Sequence, residues 1–174
     1  MNLKKKFEFY EKNTSPWNRT YFSKKDKYFY PNSVRELIEF RRSLKKNSLK
    51  YIIKTGNCSY DSKSMPSDKN TYIISLKNFN KIIKIDKTKG TVIVQSGTKI
   101  SNLVKTLKIN RYKIFCVPGG EKISVGGAIS ANAIGKDSSP VFGSFGDNVI
   151  SLKILTSKNK IMHLSKSSIK FKNI

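Results

Sequence analysis

Cysteine and histidine are scarce in this chain, and their scarcity excludes several kinds of site. The 174 residues include two cysteines, Cys58 and Cys116, and one histidine, His163. The cysteines lie far apart, so they fit neither a zinc-binding pattern nor a dense disulfide framework. His163 falls on a predicted terminal strand, where a surface or half-buried residue is expected. We therefore predict no metal site and a reducing, cytoplasmic environment.

Long apolar segments are also absent. The sequence has no run of about 18 apolar residues, the minimum that a membrane-spanning helix needs. Its first residues, MNLKKKFEFYEKN, lack the apolar centre of a signal peptide. We therefore expect neither a transmembrane segment nor secretion.

Acidic residues are few: 11 stand against 35 lysines and arginines, which gives a formal charge of +24. Such a charge is typical of nucleic-acid-binding proteins, because phosphate contacts dominate their affinity. Sequence-specific binders tend to cluster arginine on one element, whereas the lysines here are spread over the whole chain. We favour a general compositional bias and predict no nucleic-acid partner. A basic nucleic-acid-binding domain, or a weak attraction to membrane surfaces, is the alternative.

The first third of the chain has the pattern of a strand, a helix and a second strand. Tyr28–Tyr30 is a short aromatic strand, and a helix with periodic apolar residues follows from Val34, capped by Asn32 or Ser33. KYIIK at 50–54 predicts a buried strand that runs directly into a polar loop at 55–61. This order indicates a βαβ unit, whose loop would lie at the carboxyl edge of the sheet, where such sheets bind ligands.

The rest of the chain predicts further strands and short helices. The predicted strands are 71–75, 81–86, 91–95, 113–117, 147–157 and 160–164, and the predicted helices are 98–107 and 127–134. Several of these strands form hairpins, as at Thr88-Lys89-Gly90. We therefore predict an α+β fold with an N-terminal arm at 1–20, a first lobe at 21–86 and a second lobe at 87–174, with a ligand between the lobes.

The stretch from Pro118 to Asp147 holds seven of the ten glycines. Glycine lets the backbone approach a ligand closely, and runs of free N–H groups suit phosphate. This pattern predicts a nucleotide-cofactor loop, with ordinary turns as the alternative. It lacks the Rossmann spacing, and it is no Walker A loop because Asp137 follows Gly135-Lys136 where serine or threonine is needed.

Three segments resemble the FAD-linked oxidases, the vanillyl-alcohol-oxidase-like flavoproteins with a PCMH-type FAD-binding domain. VPGGEKISVGGAISANAIGKDSSPVFGSFGDNV at 117–149 resembles their second cofactor motif, and the loop at 56–60 resembles their first pyrophosphate loop. Trp17-Asn18-Arg19-Thr20 is similar to the Trp-Gly-Arg-Thr segment of the decaprenylphosphoryl-ribose oxidase group. The resemblance runs from about Trp17 to Leu164 and is most similar to that group.

This resemblance implies a two-lobed domain, with a small parallel βαβ lobe and a larger, mainly antiparallel sheet flanked by helices. It implies FAD as the cofactor and oxidation of a CH–OH group by hydride transfer to flavin N5. The positions that match its cofactor contacts are Gly56, Asn57, Cys58, Ser59, Tyr60, Pro118, Gly119, Gly120, Ser124, Gly126, Gly127, Ala128, Ala131, Asn132, Gly135, Ser144, Phe145, Gly146 and Val149. The alternative role of Asn132 is to cap a turn with its side chain.

The chain departs from the family at two histidine positions. Cys58 stands where many relatives attach FAD through a histidine, and Ile134 stands where the ribose-oxidase group has a histidine before Gly-Lys. We therefore predict non-covalent FAD, with attachment through Cys58 as the alternative to a small buried residue. Lys136 matches a family lysine on the substrate side of the flavin, and a solvated lysine is its alternative.

Family members continue into a substrate-binding cap domain beyond the FAD-binding part. We expect this chain to be the N-terminal FAD-binding part without that cap, whether as a truncated product, a split half or an excerpt. The substrate would be an alcohol or a sugar, free or lipid-linked. Catalytic residues are not predicted, and an inactive fragment is a further alternative.

Overall fold

The structure, a computed structural model, describes residues 3–60, 64–120, 122–141 and 143–167. Its helices are α1 (Leu3–Lys6), α2 (Val34–Lys46), α3 (Ile100–Ile109) and α4 (Val125–Ser130). Its strands are β1 (Tyr10–Thr14), β2 (Ser23–Phe29), β3 (Tyr51–Lys54), β4 (Tyr72–Ser75), β5 (Ile82–Asp86), β6 (Thr91–Val94), β7 (Ser151–Leu155) and β8 (Ile161–Ser165). Two short 3₁₀ turns cover Leu76–Asn78 and Phe145–Asn148.

The largest sheet has the strand order β1-β2-β4-β3. Strands β2 and β3 both pair in parallel with β4, and β1 pairs antiparallel with β2 at the edge. The predicted βαβ unit is therefore confirmed, with α2 crossing from β2 to β3 and β4 lying between them. Because parallel strands end at the same edge, the loop that follows Lys54 leaves the sheet at its carboxyl edge.

Helix α2 begins and packs as its sequence pattern predicts. Ser33 caps it by accepting a hydrogen bond from the Glu36 N–H (3.1 Å). The helix buries Leu37, Phe40 and Leu44 against the sheet. The first apolar cluster contains these side chains together with Phe7, Phe29, Tyr72 and Ile74. The rings of Phe29 and Phe40 lie 4.1 Å apart, which makes this cluster a tightly packed aromatic core.

The second part of the described chain has two antiparallel hairpins, β5–β6 and β7–β8, in place of one larger sheet. A second apolar cluster lies beside them and contains Ile100, Leu103, Leu107, Val125, Ala128 and Phe145. Ile82 of β5 packs against this cluster. The predicted lobe boundary at 86/87 falls inside the β5–β6 hairpin, so we propose that the junction between the lobes precedes Ile82.

Three sequence-based assignments need correction. The segment 113–117, predicted as a strand, is irregular, because the N–H groups of Cys116 and Val117 donate to the Asp137 carboxylate and not to a neighbouring strand. The helix predicted at 127–134 is α4, which ends at Ser130, because Asn132 has a left-handed backbone (φ 42°). The N-terminal arm contains a missed strand, β1.

Candidate functional site

The loop at residues 57–60 follows β3 at the carboxyl edge of the sheet. Asn57 has a left-handed backbone (φ 54°), which turns the chain sharply after β3. Among the described residues, no acceptor is found for the N–H groups of 57–60. Consecutive free N–H groups around a left-handed residue form an anion-binding nest. We call residues 57–60 the donor loop.

The N-terminal segment supports the donor loop from outside. The Trp17 N–H donates to the carbonyl oxygen of Ser59 at 2.8 Å, and the Asn57 side-chain amide donates to the carbonyl oxygen of Ser15 at 3.3 Å. The carbonyl oxygen of Ser59 and the side chain of Asn57 therefore hold the loop to the 15–17 segment, and neither bond uses a backbone N–H group of the loop. Trp17 and Tyr60 are both exposed.

The two predicted cofactor loops meet directly. The Thr55 and Ser124 hydroxyls are hydrogen-bonded although they are 69 positions apart in the sequence. A Cβ atom at Gly56 would clash with the carbonyl oxygen of Lys122 and would lie 3.0 Å from the Ser124 nitrogen. Overpacking of this kind costs free energy, because a backbone neighbour cannot move aside as easily as the end of a flexible side chain. Gly56 is therefore required for the donor loop to pack against the 122–124 segment.

Ser124 organises the second cofactor motif. Its hydroxyl caps α4 by accepting from the Gly127 N–H at 3.2 Å. The Gly126 N–H donates to the carbonyl oxygen of Ser96 (2.7 Å), and a Cβ atom at Gly126 would lie 2.8 Å from the Ser96 Cβ. Residues 96–99 thus lie beside the second cofactor motif, and an isolated β-bridge between Lys99 and Ser124 joins the two segments.

Two lysines place positive charge on the donor loop. Burial raises the pKa of the Cys58 thiol, while the charges of Lys122 and Lys99 act in the opposite direction. Both ammonium groups are therefore close enough to Cys58 to influence its ionisation. Sequence reasoning missed these two residues, because nothing in the pattern separates them from the other lysines of a lysine-rich chain.

The turn at 143–147 is held to the end of α4 by side-chain hydrogen bonds. The Ser144 hydroxyl donates to Asn132 Oδ1 at 2.6 Å, and a Cβ atom at Gly146 would lie 2.8 Å from the same oxygen. Phe145 is buried in the second cluster, and its N–H donates to the carbonyl oxygen of Ala133. Asn132 Oδ1 therefore supports the turn.

Asp137 fixes the approach to the Pro118 turn. Its carboxylate accepts from the N–H groups of Cys116 (2.9 Å) and Val117 (3.1 Å). A Cβ atom at Gly135 would lie 2.6 Å from the carbonyl oxygen of Val117, so this glycine packs against backbone and does not border open space. By contrast, a Cβ atom at Gly119 would meet nothing within 4 Å.

Three further residues that the sequence singled out lie at the end of α4 or beyond it. Ala131 is the exposed C-cap of α4, and Val149 follows the 3₁₀ turn in a half-buried position. Lys136 is exposed, as is His163, which faces Lys153 on the neighbouring strand.

Within residues 3–60, 64–120, 122–141 and 143–167, no group of three or more side chains is arranged to hold a metal ion. The described helices are all too short or too polar to cross a membrane.

Comparison with known proteins decides the family. A family model described as "FAD binding domain" matches residues 26–165, which include the donor loop and the whole glycine-rich stretch. The chain belongs to this family of FAD-binding domains. The predictions of an FAD-binding domain and of a resemblance to the FAD-linked oxidases are therefore confirmed.

The relatives of this FAD-binding chain include two kinds of named oxidase. It is 28% identical to D-arabinono-1,4-lactone oxidase of Candida glabrata over 156 residues, which cover 87% of this chain and 29% of that protein. It is 31% identical to decaprenylphosphoryl-beta-D-ribose oxidase of Mycolicibacterium smegmatis over 93 residues, which cover 53% of this chain and 20% of that protein. The chain thus spans less than a third of the length of these relatives.

The fold of the FAD-binding chain is that of known oxidase structures. It superposes on a variant of cholesterol oxidase from Brevibacterium sterolicum with a TM-score of 0.79 at 13% identity. That alignment covers 94% of this chain and 34% of the solved chain. The predicted PCMH-type α+β fold is therefore confirmed.

Proposed function

We propose that this chain is the FAD-binding part of an oxidoreductase that oxidises a CH–OH group of a sugar-like or other alcohol substrate to C=O. When bound, FAD would supply the hydride acceptor at flavin N5. The observation that carries the proposal is the junction of the donor loop with the 122–127 segment through Gly56, Thr55 and Ser124. The names of the relatives, a lactone oxidase and a lipid-linked ribose oxidase, support a sugar-like substrate, free or lipid-linked.

The donor loop fits the diphosphate of FAD. Its backbone N–H groups at 57–60 have no acceptor among the described residues, and phosphate oxygens are acceptors that such a nest holds well. The exposed hydroxyl of Ser59 adds a further donor. Lys99 and Lys122 add positive charge beside the same loop, which strengthens hydrogen bonds to an anion.

The glycine-rich segment fits the rest of the cofactor. Gly126, Gly127 and Ala128 carry almost no side chain at the start of α4, so a flat ring or a ribityl chain can lie against the backbone. Gly119 borders open space, which a bound molecule can enter. The other matched positions, including Lys136 on the substrate side, remain part of this proposal through their place in the family motif.

The surroundings of Cys58 support non-covalent binding. The thiol is half-buried, lies 3.2 Å from the carbonyl oxygen of Gly56, and has a raised pKa because of its burial. The thiolate is the nucleophilic form, so a raised pKa lowers reactivity. Cys58 and Cys116 are both free cysteines, which also supports a cytoplasmic location.

A visible spectrum tests the proposal. The protein is purified with and without added FAD, and we expect flavin absorbance and a higher melting temperature with FAD. Acid precipitation should then release all of the flavin into the supernatant. Absence of both flavin absorbance and stabilisation would refute FAD binding, while flavin retained in the precipitate would refute the non-covalent form alone.

A further inference from the structure

The connection between β1 and β2 carries three exposed aromatic side chains. Trp17, Tyr21 and Phe22 expose 49%, 47% and 62% of their surface. Every residue from 17 to 22 is exposed. Aromatic rings dominate the energetics of cores and interfaces, and apolar surface left exposed in one place marks an interaction site. We call residues 17–22 the aromatic segment.

Hydrogen bonds fix the backbone of the aromatic segment. The Trp17 N–H donates to the carbonyl oxygen of Ser59 at 2.8 Å. Asn18 Oδ1 accepts from the Thr20 N–H at 3.3 Å and from the Thr20 hydroxyl at 2.9 Å. The three rings nevertheless belong to neither apolar cluster of the described residues. The segment therefore has a defined backbone that presents its rings to the outside, beside the donor loop and its exposed Tyr60.

Positive charge accompanies these rings. From residue 12 to residue 25 the sequence has four cationic side chains and no acidic one. The cations are Lys12, Arg19, Lys24 and Lys25, and all four are exposed. None of them takes part in an ion pair found among the described residues. Asp26, the next residue, is buried. The surface thus combines aromatic rings with uncompensated positive charge.

This combination selects one class of partner. A second copy would bring the same cations together, and each chain has a formal charge of +24, so two copies repel each other. Single-stranded nucleic acid binds in a groove that follows its backbone, whereas the aromatic segment is an exposed connection from the edge strand β1. The interface of a bilayer holds aromatic rings at the level of the headgroups, and anionic lipids attract lysine and arginine.

We propose that the aromatic segment binds the surface of an anionic lipid bilayer. Its three rings enter the headgroup region, and Arg19, Lys24 and Lys25 face the lipid phosphates. The bond between Trp17 and Ser59 then holds the donor loop at the bilayer surface. That position suits a lipid-linked substrate, a step that rests on the function proposed above, whereas binding to the bilayer does not.

Fluorescence of Trp17 tests the proposal, because Trp17 is the single tryptophan of the chain and reports on this segment alone. The whole chain, without FAD, is mixed with vesicles of phosphatidylcholine alone or of phosphatidylcholine with phosphatidylglycerol. With the anionic vesicles we expect a blue shift of the emission and quenching by brominated lipids. Both effects should weaken as the salt concentration increases. Failure of the chain to bind FAD would leave these results unchanged.

Two pairs of variants separate the segment from the general charge of the chain. Phe22→Ser should weaken binding to anionic vesicles by about fivefold or more, because an apolar ring is lost. Lys24→Gln should weaken it by about fivefold, since each cation near an anionic surface contributes. Ile109→Ser and Lys105→Gln, at exposed positions on α3, are the matched controls and should have smaller effects. All four variants should melt close to the wild type without lipid.

Four results would overturn the proposal. Unchanged Trp17 emission in a chain that sediments with anionic vesicles would show adsorption through scattered lysines. An equal blue shift with both kinds of vesicle would remove the role of the cations. A blue shift that appears with protein concentration alone would identify a second copy as the partner. An emission change caused by a single-stranded oligonucleotide and not by vesicles would identify nucleic acid.

Discussion

The two halves of this molecule are stabilised in different ways. The first half has a ring-packed core, in which Phe40 contacts Phe7, Phe9, Phe29 and Tyr72 with ring centroids 4.1–5.8 Å apart. The glycine-rich half has a smaller-residue core and holds its loops by polar side chains that bond backbone groups. Packing of aromatic side chains thus positions the sheet in the first half. In the glycine-rich half, hydrogen bonds and close backbone contacts determine the shape of the proposed cofactor site.

The largest effect should come from removing the central ring of the aromatic core. Phe40→Ala should lower the free energy of unfolding by about 3–5 kcal/mol, because the side chain is fully buried and leaves a cavity. Urea denaturation measures this loss. Val34→Ala, at an exposed position on the same helix, is the control and should change stability by less than about 0.5 kcal/mol. Similar losses for both variants would contradict the packed core.

A smaller loss of stability should result from a substitution at the contact between the donor loop and the 122–124 segment. Gly56→Ala places a methyl group against the backbone of Lys122 and Ser124, which should cost about 1–3 kcal/mol of stability or displace the loop. We expect FAD affinity to fall by about tenfold or more, equivalent to about 1.4 kcal/mol. Flavin fluorescence titration measures the affinity. Gly119→Ala, where a methyl group meets nothing, should fold normally, and equal stability of the two variants would contradict the loop contact.

The charges beside the donor loop should contribute less than the backbone. Lys99→Gln and Lys122→Gln should each weaken FAD binding by about 2- to 5-fold, because both side chains are exposed and screened by salt. The FAD affinity of the wild type should fall toward that of the variants as the salt concentration increases. The FAD affinity of the variants should depend less on the salt concentration. Lys105→Gln, an exposed lysine on α3, is the control. A variant as sensitive to salt as the wild type would argue against a charge contact.

The smallest effect concerns the hydrogen bonds at the 143–147 turn. Hydrogen bonds from Ser144 lower the pKa of the Asp147 carboxyl below its usual value of 3.8, with a further contribution from Lys166. The depressed pKa means that the ionised form stabilises the folded state. This contribution is present above about pH 4–5 and is lost as the pH falls through the lowered pKa. Asp147→Asn should reduce the acid sensitivity of unfolding slightly, and an unchanged pH profile from pH 6 to 2 would contradict this.

Much of the regular structure could be predicted from local pattern. The apolar spacing of α2 and its Ser33 cap define the helix, and the alternation around Gly90 defines the β5–β6 hairpin. Strand β1 could not be predicted, because four of its five residues are exposed and only pairing with β2 makes it a strand.

The candidate site was predictable in its glycine-rich motifs and not in its supporting contacts. The donor loop and the segment around Ser124 follow from the family resemblance. By contrast, the roles of Asp137 and Lys99 depend on contacts between distant parts of the chain. Single-residue patterns carry no signal for such contacts.

Competition between FAD and ADP tests the central claim most directly, that the donor loop and the 122–127 segment form one cofactor site. Flavin fluorescence is titrated with the whole chain, and ADP is then added. We expect saturable FAD binding that ADP displaces, because ADP carries the diphosphate that the donor loop would hold. Absence of FAD binding, or FAD binding that saturating ADP leaves unchanged, would contradict the account.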